Sequence, residues 1–365
     1  MGVPGVADVA ALARWLRAND LPGAEGGEGQ PRVSLISGGR SNLTYRLDQP
    51  GTRLVLRRPP LGHVLPTAHD MSREFRVLTA LAGTAVPVPR PLALCQDTSV
   101  IGAPFYLMEW VDGVVLRTRA DATALTPGQA SGLSERFVDM MATIHGVDVA
   151  AVGLTGFGRP EGYLARQLAR WQRQWELSAT REMPGYAELV KRLDEGLSGR
   201  GGQHGGDGGQ HGGDGGHPAG TLVHGDFRID NMLVALGPKP AIAAVVDWEM
   251  STLGDPLADL GLTLVYWTDP GEQDLLELTG EGGLTGAPGF WTRARLAERY
   301  AGTTGRDLSR LGSYMAFGCF KLAVVLEGIH TRFLQHQTVG EGFERQGERV
   351  PLLIERAHRL LDGER

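Results

Sequence analysis

Cysteine is nearly absent: Cys95 and Cys319 are the two in a chain of 365 residues, and no CxxC pair occurs. That excludes a disulfide scaffold and a cysteine-ligated zinc centre, and it fits a reducing cytoplasm. No run approaches the ~18 apolar residues needed to span a bilayer. The opening stretch MGVPGVADVAALARWLRANDLPG carries acids among its apolar residues. It has neither the basic start nor the continuous apolar core of a signal peptide, so no membrane partner is expected. Excess positive charge is missing too: the formal net charge is −6. Nonspecific nucleic-acid binding is therefore disfavoured. What is present is ordinary for a globular chain, with 42% hydrophobic and 21% charged residues. The length suffices for two lobes.

Local patterning divides the chain. Residues 7–19 have the spacing of a short amphipathic helix. VSLISGGRSNLTYRL (33–47) reads as strand, glycine turn and strand, and RLVLRRP (53–59) as a further strand stopped by Pro59-Pro60. TAHDMSREFRVLTALAG (67–83) is a helix with Met71, Phe75, Leu78 and Leu81 on one face. VPVPRPLALC is extended by its prolines, and PFYLMEWVDG (104–113) is a buried strand ending in a turn. Beyond residue 125 the pattern turns helical, with helices expected over 128–147, 163–178 and 314–336. The expected fold class is α+β: a β-rich N-lobe over residues 1–112 and a helical C-lobe over 113–365. A Gly-rich tract (198–220) holds QHGGDGG twice, over 203–216. Its His204, His211 and His217 invite a metal reading, but a composition that cannot pack argues for a flexible loop.

The polar stretch LVHGDFRIDNMLV (222–234) sits between two apolar segments, and AIAAVVDWEM (241–250) ends a second apolar run with a carboxylate. Two neighbouring strand ends that present oxygen ligands suit a hard cation such as magnesium, with Asn231 and Asp247 as ligands. Asp226 is then left to orient a hydroxyl and accept its proton, unless it is a plain turn carboxylate. His224 reads as a brace for the turn. Gly38 and Gly39, with Ser41 in the same turn, can bring backbone amides to a phosphate, or can simply close a hairpin. Arg57 can reach phosphates. Glu74 either pairs with Arg57 or is a solvated helix residue. Glu109 and Val111 offer strand-edge backbone groups to a purine. Asp255 suits a helix N-cap before Pro256, and Asp259 a brace for the catalytic turn. Trp171, Trp175 and Trp267 read as core.

The order glycine turn, basic strand residue, acidic helix residue, connector, HGDFRIDN, VVDWE is that of kinases. The sequence resembles the aminoglycoside phosphotransferase family, a branch of the protein-kinase-like fold. LVLRRPP, LMEWVDG, HGDFRIDNML, DWEMSTLGDPLADL and KLAVVLEGI resemble, more narrowly, the kinase-like domain of some acyl-CoA dehydrogenase family members. The resemblance covers roughly residues 30–340. It implies a bilobal kinase using ATP and Mg2+, with Asp226 as base, Asn231 and Asp247 as metal ligands, and Glu109 and Val111 at the adenine. The acceptor it implies is a hydroxyl of a small molecule, toward the hydroxyacyl-CoA type; a homodimer is compatible with it. Two features depart from the pattern. Arg57, with Arg58 beside it, stands where kinases usually carry Lys, and SGGRSN is shorter than a full GxGxxG. The rival readings are a noncatalytic nucleotide-binding pseudokinase, for which Arg57 speaks, an aminoglycoside kinase, and a protein kinase. Against the last, WEMSTLGDPLAD runs straight into a helix with no long activation loop.

Overall fold

The computed structural model describes residues 3–23, 30–36, 42–61, 70–198, 220–272, 283–335, 343 and 345–364. Gly38, Gly39, Ser41 and the QHGGDGG repeat lie outside the described residues. The chain divides into two compact units, Met1–Val114 with Ala243–Ser251, and Val115–Ile242 with Thr252–Arg365.

The first unit is a five-stranded sheet with two helices. Its strands are β1 (Arg32–Leu35), β2 (Leu43–Gln49), β3 (Thr52–Arg58), β4 (Pro91–Cys95) and β5 (Phe105–Glu109), in the order β1-β2-β3-β5-β4. Each neighbouring pair runs antiparallel. Alternation along the strands sorts their side chains onto two faces. Tyr45 and Leu47 of β2, Leu54 and Leu56 of β3, and Phe105 and Leu107 of β5 form one core with Leu12 and Leu16 of helix α1 (Val9–Ala18). Period two then sends Arg57 to the opposite face, level with its register partner Tyr106. Arg58 returns to the α1 side, where its guanidinium donates to the carbonyl oxygens of Gly5 and Ile101. The two adjacent arginines are thus separated by the pleat, and Arg57 alone shares a face with Tyr106.

Helix α2 (Met71–Leu81) begins at Asp70, whose carboxylate accepts from the Ser72 and Arg73 amides. Its buried residues are Met71, Glu74, Val77, Leu78 and Leu81. The expected face with Phe75 is thereby rotated: Phe75 is half-buried and its ring meets Tyr106 edge-on at 6.0 Å, while Glu74 takes the middle of the buried stripe. A solvated Glu74 is excluded, since it is 2% exposed.

The second unit is largely helical. Helix α3 (Pro127–His145) opens with a capping box between Thr126 and Gln129 and a proline in its first turn. Helices α4 (Tyr163–Ser178) and α5 (Tyr186–Ser198) follow. Two short strands, β6 (Thr221–Val223) and β9 (Thr252–Gly254), pair antiparallel with Leu222 opposite Leu253. Between them in sequence lie β7 (Met232–Ala235) and β8 (Ala241–Val245), the last three residues of which belong to the first unit. Helix α6 (Pro256–Tyr266) is capped by Asp255, which accepts from the Leu257 amide at 2.9 Å, as its place before Pro256 suggested. Helices α7 (Arg293–Thr304), α8 (Leu311–Leu334) and α9 (Gln346–Leu361) complete the unit.

Helix α8 is long and apolar enough, by length and composition, to cross a membrane, which corrects the expectation that no run approaches that length. In the fold, 67% of its most apolar window is buried inside the protein, and it serves as a core helix. Its approach to α6 is set by glycine. A Cβ on Gly261 would lie 2.6–2.8 Å from the Tyr314 backbone and Cβ, and one on Gly318 would lie 3.1 Å from the Leu262 Cα. Gly261→Ala therefore forces two packed helices apart. The expected loss is about 1–3 kcal/mol in urea unfolding, the usual range for overpacking a core. A midpoint unchanged from the parent would show that α8 can move aside.

Candidate active site

The first unit builds its polar site around Arg57. The Nε of Arg57 lies 3.0 Å from Glu74 Oε2, and its Nη2 bonds Asp247 Oδ1 and lies 3.8 Å from Glu249 Oε2. Tyr106 and the Trp248 amide both hydrogen-bond Glu74. Burial works against the charge on Arg57, but Glu74, Tyr106, Asp247 and Glu249 outweigh it and raise its pKa above the ordinary guanidinium value. Burial raises Glu74, opposed by Arg57 and reinforced by Asp247. Arg57 is therefore a fixed, permanently charged group surrounded by three carboxylates, which leaves the cluster net acidic and attractive to a further cation.

Asp247 is set by its backbone. It has φ 67°, ψ 54°, the left-handed region, and starts the short turn Trp248–Met250. Asp is one of the few non-glycine residues enriched there. The turn is pinned by fully buried Trp248, whose Nε1 donates to Val245 O at 3.0 Å, and by Ser251, whose hydroxyl donates to Trp248 O at 2.6 Å. Arg73 of α2 donates to Ser251 O at 3.0 Å. Asn42 donates to Glu249 at 2.9 Å, a contact across 207 residues that no sequence pattern signalled.

The connector residues are placed less simply. The Glu109 amide donates to Arg90 O at 2.9 Å, so that N–H is already used within the unit. Its half-exposed side chain pairs with Arg90. What Glu109 retains for a ligand is its carbonyl; Val111 lies just past the end of β5, half-buried.

The second unit carries the HGD turn. Gly225 has φ 84°, a conformation that favours glycine. Asp259, one turn into α6, accepts from the His224 amide at 2.6 Å and the Gly225 amide at 2.8 Å. That is the bracing role expected of it. Behind Asp259 stands His145, its Nε2 at 3.4 Å and its Nδ1 bonded to Tyr300 Oη at 2.7 Å. His224 is fully buried and its Nδ1 accepts from the Asp226 amide at 3.3 Å, which makes it a brace. Thr263 donates to Phe227 O at 2.6 Å. Asn231 donates its Nδ2 to the Asp226 carbonyl at 2.8 Å and to Oδ2 at 3.2 Å. The Asp226 side chain stays 25% exposed.

The structure thus brings together Arg57, Glu74 and Asp247 in the first unit, and Asp226 and Asn231 in the second. Taken singly, the two expected ligands suit magnesium chemically. Asp247 offers a carboxylate in a net acidic cluster, and the Asn231 amide spends its nitrogen on Asp226, so the end left to coordinate is oxygen. Among the described residues no group of three or more His, Cys, Asp or Glu side chains makes a metal cluster. Sequence reading missed Lys321 of α8, whose Nζ donates to Gly225 O at 2.6 Å. The signal was its rarity: three of the chain's 36 basic residues are lysine.

The sequence model described as "Phosphotransferase enzyme family" matches residues 32–299, and the chain belongs to that family. Among curated relatives, acyl-CoA dehydrogenase family member 10 of Mus musculus is 33% identical over 320 residues, 87% of this chain and 28% of its own length. Acyl-CoA dehydrogenase family member 11 of Gallus gallus is 33% identical over 361 residues, 97% of this chain and 43% of its own. The chain spans less than half the length of these relatives. Among solved structures, a candidate aminoglycoside phosphotransferase from Ralstonia eutropha JMP134 superposes with TM-score 0.75 at 32% identity, covering 97% of this chain and 98% of that one. Choline kinase from Cryptosporidium parvum Iowa II gives 0.61 at 14%, covering 97% of each chain. Aminoglycoside phosphotransferase APH(4)-Ia, in a ternary complex with AMP-PNP and hygromycin B, gives 0.57 at 15%, with 96% and 98% covered. The fold is the protein-kinase-like one that the sequence resemblance implied.

The Asp259 brace has a pH signature. Burial works to raise its carboxyl, but the hydrogen bond and charge of His145, the charge of His224 and the Gly225 amide hold it below the ordinary value of 3.8. A depressed carboxylate contributes stability above its unfolded pKa and loses it as pH falls through the folded one. Asp259→Asn should therefore lower stability by about 1–3 kcal/mol at neutral pH, the cost of leaving buried hydrogen-bonding groups poorly satisfied. The gap between parent and variant should narrow only at pH below 3.8. Denaturant melts at a series of pH values test this; a gap that closes already near neutrality would assign the effect elsewhere.

Proposed function

We propose that the protein is an ATP-dependent kinase that transfers the γ-phosphoryl group to a hydroxyl of a small molecule. The observation that carries the reading is the Asp226 carboxylate, partly exposed, held by Asn231 on a turn whose amides are clamped by Asp259. Asp226 orients the acceptor hydroxyl and takes its proton as the new O–P bond forms. The bond from the γ-phosphorus to the bridging oxygen breaks, and ADP leaves with that electron pair. Asn231 and Asp247 are the residues that would hold Mg2+, which when bound neutralises phosphate charge. Arg57, fixed by Glu74, supplies permanent positive charge for the phosphates. Use of ATP is supported by the AMP-PNP bound in a structure of similar fold.

The acceptor we favour is a hydroxyacyl-CoA-type metabolite, on kinship with acyl-CoA dehydrogenase family members. The second reading, a noncatalytic nucleotide binder, draws on Arg57, whose guanidinium is engaged by Glu74 and Asp247.

An ATP-consumption assay with hydroxyacyl-CoAs and aminoglycosides as separate acceptor sets separates these readings. Asp226→Asn should cut turnover by ~10²–10⁴-fold, the range for losing a general base, with Mg-ATP affinity kept. Turnover above half the parent's would remove Asp226 from the role. Asp247→Ala, by contrast, should abolish Mg-dependent nucleotide binding in calorimetry, and unaltered affinity would move the metal elsewhere. Binding by the parent without turnover on either acceptor set would favour the noncatalytic reading.

A further inference from the structure

Helix α8 presents one stripe to α6 and the catalytic turn, at positions 314, 318 and 321, the i, i+4, i+7 spacing of a single helix face. Tyr314 Oη donates to Asp255 Oδ2 at 2.7 Å. Gly318 lets α8 come close to α6, since a Cβ there would meet Leu262 and Val265 at 3.1–3.3 Å. Lys321, next on the stripe, is carried by this approach to the carbonyl of Gly225, at 2.6 Å. Its Nζ also lies 5.6 Å from the centroid of the Trp171 ring, near enough for a cation–π contact. A lysine head drawn into such a site is disfavoured unless it meets acceptors and charge. Here it meets both.

The turn is then held from two directions. Asp259 takes the N–H groups of His224 and Gly225, and Lys321 takes the C=O of Gly225. That carbonyl belongs to the peptide bond entering Asp226. Its plane therefore fixes where the Asp226 Cα, and hence its carboxylate, sits.

We propose that Lys321 is a positioning residue for Asp226: its ammonium locks the Gly225–Asp226 peptide, on a turn where Arg228 Nε already lies 3.8 Å from Asp226 Oδ2. The proposal rests on the reading of Asp226 as general base. The groups that face Lys321 are Asp226 and Arg228 from the turn, Asp259 from α6 and Arg170 from α4. His145 and His224 stand beyond Asp259, as does Tyr163. Burial lowers the Lys321 pKa from its ordinary value; Asp226 and Asp259 oppose that, and Arg170 and Arg228 add to it. The ammonium is lost as pH rises through this lowered value, so kcat should fall on the alkaline side earlier than an exposed lysine would allow.

The test compares Lys321→Met, Lys321→Arg and Asp226→Asn in the full chain, in the ATP-consumption assay with the acceptor the parent turns over. Lys321→Met should lose kcat on the order of a hundredfold, the effect of misplacing a reacting group by about an ångström. Mg-ATP affinity by calorimetry should stay near the parent's. Lys321→Arg should recover part of kcat and shift the alkaline limb upward, because a guanidinium keeps its proton. A Lys321→Met protein with parental kcat would overturn the proposal, and so would a folded Lys321→Arg protein whose alkaline limb has not moved. The second outcome decides the matter even where the methionine variant does not fold. If Asp226→Asn stays active, the base assignment falls and this proposal with it. If Asp226→Asn is inactive while Lys321→Met is not, the role of Lys321 alone is refuted.

Discussion

Two backbone amides, those of His224 and Gly225, converge on one carboxylate, Asp259. The rest of the second unit is arranged so that this carboxylate is in place and ionised. It sits one turn into α6, which Asp255 starts and Pro256 directs. His145 and Tyr300 line up behind it from α3 and α7. Gly261 and Gly318 bring α8 against α6, so that Lys321 meets the turn from the other side. An isolated carboxylate would be strongly disfavoured at 3% exposure. Here burial is offset by amide donors and imidazoles, and the same contacts that offset it also set the geometry of Asp226. Stability and site geometry are one arrangement in this unit.

The first unit follows a different logic. It keeps a guanidinium on the α2 face of a sheet whose other face is apolar, and it does so by strand alternation alone. Leu54 and Leu56 go one way and Arg57 the other, and α2 answers with Glu74 at the centre of its buried stripe. Arg58, chemically identical and one residue on, is sent to backbone carbonyls on the α1 side. Which of two adjacent arginines is available to the site is therefore decided by the pleat.

These relations were unevenly legible in the sequence. The HGDFRIDN and VVDWE stretches announced themselves because they place polarity beside apolar strand, and Asp226, Asn231 and Asp247 could be named from that contrast. Apolar segments bounded by glycine turns and prolines marked the strands, and the capping residue before Pro256 placed α6. Glu74 could be paired with Arg57 in principle, but its burial could not be read: the apolar spacing pointed to Phe75, and the true face is rotated toward Glu74 and Val77. Lys321 was hidden because a single charge in an apolar helix carries no periodic signal, and its partner is a backbone carbonyl. Asn42 and Glu249 meet across 207 residues, a pairing that only the assembled fold creates. Of the strand-edge backbone groups expected to face a purine, the Glu109 amide is taken by the Arg90 carbonyl, a pairing the sequence did not show.

Residues Ala243–Ser251 group with the first unit although the chain reaches them only after a long passage through the second. Arg57 and Asp247 are 190 residues apart. In time rather than space, this means that the first unit is unfinished when its own contiguous segment, ending at Val114, has been synthesised. At that stage Arg57 has Glu74 but neither Asp247 nor Glu249, and α2 has no Trp248 turn to pack on. Domains that fold as units during synthesis usually close in chain order. This one cannot, because its last piece is delivered only after Val115–Ile242 of the second unit has been made, with α6 to α9 still to come. The nascent chain must carry a sheet with an open polar face through the making of some 130 further residues.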